Sequence, residues 1–144
     1  MSANRVIIAL AVGAVGLAAA YACIISPIAK KRAESRLCAS AVTSICLAAK
    51  CWALDHGGVM PTDFLSMSNE VSTPKVLFCL ESRRRAVSSA WSEFNPASCT
   101  YKIVAPGMHM EETNRVYLRC KIHGHLGYAD TTVFDGTRRH GKFD

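Results

Sequence analysis

From Val6 to Ser26 the chain runs twenty-one residues without a charged side chain, and nearly all of them are apolar. A helix of that length rises about 31 Å at about 1.5 Å per residue, which matches one hydrocarbon core. Such a stretch restricts the solvent before it restricts the fold. It stays in a bilayer, is removed as a secretory signal, or is buried among copies of itself in a polymer. Ala20-Tyr21-Ala22 before Cys23 offers the small residues a signal peptidase reads. The apolar run nevertheless continues through Ile24 and Ile25, so a retained single-pass helix is expected.

Pro27 removes one backbone donor and crowds the turn before it, which bends a helix more readily than it ends one when helical periodicity resumes at once. It does resume. Cys38, Ala41, Ile45, Ala48 and Trp52 are spaced 3, 4, 3 and 4 apart and share one face, widened by Val42, Cys46 and Ala49. This stripe is the expected helix–sheet core, with Trp52 its largest member. Gly57 and Gly58 supply the left-handed conformation that ends a helix, so a single helix from about Ala3 to Asp55 is expected.

Beyond the helix the composition shifts toward strands. Lys75–Leu80, Cys99–Ala105, Val116–Cys120 and a final hairpin around Tyr128–Ala129 and Thr131–Phe134 read as β segments, with a short helical turn at Phe64–Ser68. Their connections are short enough for antiparallel pairing. The expected organisation is residues 1–27 as a transmembrane or filament-core helix, 28–56 as an amphipathic helix, 57–137 as a small antiparallel sheet domain, and 138–144 as a frayed basic tail. The fold class is therefore α+β, a long N-terminal helix packed on a small antiparallel sheet.

The 144 residues carry 17 basic and 11 acidic side chains, net +6, and every charged residue except Arg5 lies at Lys30 or later. Arg83, Arg84 and Arg85 form the densest basic cluster, which Arg138, Arg139 and Lys142 could extend into a patch for an acidic ligand or lipid. No aromatic residue is interleaved with the arginine run, so a solvated loop is the expectation and nucleic acid is not an expected partner. The Lys30, Lys31, Arg32 and Arg36 group after the apolar segment would place the C-terminal side in the cytoplasm by the positive-inside rule.

Seven cysteines cannot all pair within one chain. Cys79, Cys99 and Cys120 are the disulfide candidates if the sheet domain lies in an oxidising compartment. Cys120, His123 and His125 give the spacing C-x2-H-x-H, the strongest metal-like cluster, with Cys79 or Cys99 as a fourth zinc ligand. The x-Gly-x around the histidines reads equally as a turn between strands, so no metal or other cofactor is expected. There is no phosphate loop, nucleotide fingerprint or hydrolase elbow, and no small-molecule substrate or enzymatic activity is expected.

The order of these features resembles a type IV pilin-like protein of the pseudopilin branch associated with type II secretion. The resemblance is carried by the apolar run, by Pro27 in Ile25-Ser26-Pro27-Ile28-Ala29-Lys30, by the stretch Leu47–Pro61, and by Arg119–His125 followed by Asp135-Gly136. With Pro27 as the anchor, Arg5, Val6 and Leu10 stand where such proteins carry glycine, phenylalanine and glutamate, a departure at the leader-processing and helix-pairing positions. The resemblance implies a structural subunit of a filament or secretion apparatus. It would be single-pass in the inner (cytoplasmic) membrane, with its C-terminal domain outside the cytoplasm, opposite to the count of positive charges, at the cell surface or in a periplasmic filament. Self-assembly, or assembly with other pilin-like subunits, would run through Val6, Leu10, Val12, Gly13, Gly16, Leu17 and Pro27, where the two glycines permit close approach. The alternative is a membrane-tethered binding module with a basic or Cys/His ligand site.

Overall fold

One helix, α1 (Ala3–Asp55), supplies more than a third of the chain, and a five-stranded antiparallel sheet follows it. The computed structural model describes residues 3–82 and 89–141, with side chains from residue 21 onward apart from 22 and 24. Arg83, Arg84, Arg85 and Lys142 lie outside the described residues, as do the side chains of Val6, Leu10, Val12 and Leu17 and the surroundings of Gly13 and Gly16.

The chain divides into two units, Met1–Glu34 and Ser35–Asp144. The described part of the first is helical throughout, and α1 continues past Pro27. Its described apolar side chains face outward, with Tyr21 68 % exposed and Ile25 and Ile28 both exposed. By length and composition α1 is long and apolar enough to cross a membrane; among the residues whose side chains are described, the qualifying span is Ile25–Asp55.

In the second unit the helix becomes a core element. Cys38, Val42, Ile45, Cys46, Ala49 and Ala53 are buried at helical spacing. This face is rotated from the expected stripe: Cys38, Ile45 and Ala48 are buried, whereas Ala41 and Trp52 are only partly covered. The cause is close approach of the sheet at Gly127. A Cβ there would lie 2.5 Å from Cys46 Sγ and 2.7 Å from Val42 Cγ1, so only glycine lets the helix seat on that line. Trp52 instead stacks on His56, with ring centroids 3.6 Å apart. The helix stops as its glycines require, with Gly57 and Gly58 at φ +65° and +80° and the Gly58 N–H donating to Ala53 O over 2.8 Å.

The sheet is a meander of β1 (Tyr101–Ile103), β2 (Val116–Cys120), β3 (Leu126–Tyr128), β4 (Val133–Phe134) and β5 (Arg139–His140), each antiparallel to the next. Two expectations need correction. Lys75–Leu80 is not a strand. Pro74 opens a 3-10 turn at Pro74–Leu77, capped by Thr73, whose side chain accepts from the Lys75 N–H, and a second turn follows at Leu80–Ser82. The run is apolar because Leu77, Phe78 and Cys79 are buried against the core, not because it joins the sheet. Arg139 and His140 are not in a frayed tail but form β5. The Arg139 guanidinium donates to Asp130 Oδ2, Thr113 O and Thr132 Oγ1 and lies 3.9 Å over the Tyr128 ring. The Phe64–Ser68 segment is a series of turns that buries Phe64 and Met67.

Candidate metal centre

Four elements converge at one end of the helix–sheet interface. Cys38 is the N-terminal member of the buried α1 face and is 1 % exposed. Cys79 follows the 3-10 turn, where its N–H donates to Thr100 Oγ1 over 2.6 Å and its carbonyl accepts from the Ser82 hydroxyl over 2.7 Å. Cys120 ends β2, its N–H donating to His125 O over 2.9 Å. His123 sits in the turn between β2 and β3, a reversal that Gly124 permits at φ +72°.

Cys38 Sγ donates to Cys120 Sγ over 3.4 Å, and Cys79 Sγ lies 3.2 Å from His123 Nδ1. The His123 backbone N–H points at Cys120 Sγ across 3.4 Å. All four potential ligand atoms lie within 4.8 Å of one another. The other ring nitrogen of His123, Nε2, is 3.3 Å from Glu81 Oε2, and Tyr101 Oη is 3.6 Å from Cys38 Sγ. The hydrogen bond from Cys38 holds the Cys120 thiol well below the ordinary thiol range, against the burial that raises it, with backbone N–H groups of His123 and Ile122 adding to the effect. Burial pushes the Cys79 thiol up.

The sequence motif was half of this site. C-x2-H supplies Cys120 and His123, and Cys79 is one of the two fourth ligands considered. His125 is not in the set: its ring stacks on His123 at 5.4 Å, its Nε2 pairs with Ser35 Oγ at 3.1 Å, and its buried Nδ1 has no hydrogen-bond partner among the described residues. Cys99 faces elsewhere, its thiol donating to Leu77 O over 3.0 Å and raised by burial to about 11. Cys38, assigned from sequence to the core stripe alone, is the missed member. The disulfide candidates Cys79, Cys99 and Cys120 are all free thiols, and the sulfur beside Cys120 belongs to Cys38 on the helix.

No known family, curated protein or solved structure matches this chain.

Proposed function

We propose that this chain is a membrane-anchored, pilin-like structural subunit that assembles through the apolar half of its N-terminal helix. One observation carries the reading. A single helix continues through Pro27, leaves its described N-terminal apolar side chains exposed, and buries its C-terminal half against a small antiparallel sheet. A pure tether has no need for an apolar anchor continuous with the core helix of its domain. A subunit that packs helix against helix does. Leu47 and Leu54, both more than half exposed on the outward face of the same helix, extend the apolar surface available to a neighbouring subunit.

The test is a charge in the apolar half, Val12→Lys or Leu17→Lys. The variant is expected to abolish high-molecular-weight assemblies in isolated membranes while the sheet domain keeps its unfolding transition. Normal assembly would sink the reading. Labelling of exposed Cys51 by a membrane-impermeant maleimide in spheroplasts decides the orientation. Reaction supports an extracytoplasmic domain, and protection supports the orientation that Lys30, Lys31, Arg32 and Arg36 favour. The second reading, a tethered binding module, is favoured by the cluster of three cysteines and His123. It requires exchangeable ligand binding there and no assembly.

A further inference from the structure

We propose that Cys38, Cys79, Cys120 and His123 form a closed zinc site that clamps α1, the Pro74–Ser82 turns and the β2–β3 turn into one unit. The inference is independent of the assembly reading.

The donor set comes first. Three sulfurs and one imidazole suit zinc, which takes Cys3His sites at about 2.3 Å to sulfur and about 2.0–2.1 Å to nitrogen. A tetrahedron of those bond lengths has edges of about 3.5–3.8 Å. The observed Cys38–Cys120 and Cys79–His123 separations, 3.4 and 3.2 Å, are already near that size, and no ligand pair exceeds 4.8 Å. The remaining pairs need to move inward by no more than about an ångström.

The surroundings are also those of a metal ligand. The nitrogen of His123 that faces Cys79 is Nδ1, while Nε2 faces the Glu81 carboxylate. A carboxylate behind a ligating imidazole fixes its tautomer, since Nε2–H donates outward and leaves the Nδ1 lone pair for the metal. The His123 N–H directed at Cys120 Sγ stabilises a thiolate in the same way.

A disulfide explains less. It would join Cys38 to Cys120 and leave Cys79, His123 and Glu81 converging on nothing. Binding instead releases the zinc ion's water ligands and whatever protons the three thiols still carry as three Zn–S bonds and one Zn–N bond form, with no change of oxidation state. All four positions are filled by protein, which leaves none for water or substrate and makes the site structural. Its mechanical effect follows from the chain separations: Cys38 and Cys120 are 82 residues apart, and Cys79 and His123 are 44 apart.

The experiment uses the full chain purified in detergent from zinc-supplied cells. Elemental analysis is expected to find one zinc per chain. Exchange for cobalt should produce thiolate charge-transfer and tetrahedral ligand-field bands. Chelation should lower Tm and increase the number of thiols that react with a maleimide. Cys79→Ser and His123→Ala should lose the cobalt bands, whereas Cys51→Ser and Cys99→Ala should keep them. Because a ligand variant can fail to fold, Glu81→Gln provides the second arm. It should stay folded and bind zinc about 10–100-fold more weakly, the usual cost of removing such a carboxylate. Two results would overturn the proposal: a metal-free chain whose mass shows a Cys38–Cys120 disulfide, or stoichiometric zinc that survives His123→Ala and Cys79→Ser together.

Discussion

Two stretches of α1, one around Ile25 and Ile28 and one beyond Cys38, share a helical backbone, yet their apolar side chains meet opposite environments. Ile25 and Ile28 are 41 % and 45 % exposed, while Ile45 is fully buried in the core, on the part of the helix whose Val42 and Cys46 stand against Gly127 of the sheet. Helical periodicity therefore states which residues share a face but not what covers it. The stretch around Ile25 and Ile28 leaves its apolar side chains exposed, and the stretch beyond Cys38 uses its own within the chain.

The largest effect expected from this comparison comes from the same substitution made in both stretches. Ile45→Ala should cost about 2–5 kcal/mol in the urea unfolding of the sheet domain, followed by tryptophan fluorescence, because it opens a cavity in a fully packed core. Ile28→Ala should change that transition by no more than about 0.5 kcal/mol. Equal losses would mean that the two stretches are packed alike. The next effect comes from the sheet side. Gly127→Ala places a methyl group where Cys46 Sγ and Val42 Cγ1 stand, and should destabilise the domain by about 1–3 kcal/mol through overpacking. Adding Val42→Ala to that variant should recover part of the loss, since the clash and the valine methyl occupy one volume.

The smallest effect lies far from the helix, in the C-terminal hairpins. Asp135 is held below the ordinary carboxylate range by the Thr137 hydroxyl and the backbone N–H groups of Arg138 and Thr137, with His140 adding to them. For Asp130, burial raises the value, but the Thr132 hydroxyl and N–H and the Arg139 guanidinium together outweigh it and leave a net lowering. A lowered folded-state pKa means that the unfolded chain takes up protons first. The stability these groups contribute is present above about pH 3.9 and is lost as pH falls below it. Unfolding midpoints measured across that window should decline with acid, and Asp130→Asn should flatten the decline. A pH-independent midpoint would remove these carboxylates from the account of the hairpins.

Much of the fold was legible because its signals are local. The span of α1, its glycine stop and β2 all follow from periodicity or turn chemistry within a few residues. The Lys75–Leu80 run was misread because a short apolar stretch says that it is buried, not how. Pro74 and the Thr73 cap convert it to 3-10 turns, and its partners include Thr100, far along the chain. The candidate site divides in the same way. C-x2-H at Cys120 and His123 is a local spacing and could be read, whereas setting His125 apart from the cluster required its pairing with Ser35 in the folded chain. Cys38 carried no such signal. A cysteine on the buried face of a helix looks the same whether it packs as a small hydrophobe or faces three other ligands.

By itself the amino-acid sequence determined a long helix with an uncharged, apolar N-terminal half, where that helix ends, and an antiparallel α+β arrangement, since each depends on near-neighbour periodicity and on glycine or proline backbone limits. The tertiary structure alone decided which face of the helix is covered and that Cys38 meets Cys79, Cys120 and His123. The Cys38–Cys120 contact alone joins residues 82 positions apart, and the close approach of the helix to Gly127 likewise joins distant parts of the chain. No local pattern encodes such contacts, because they form only when the two surfaces are packed together.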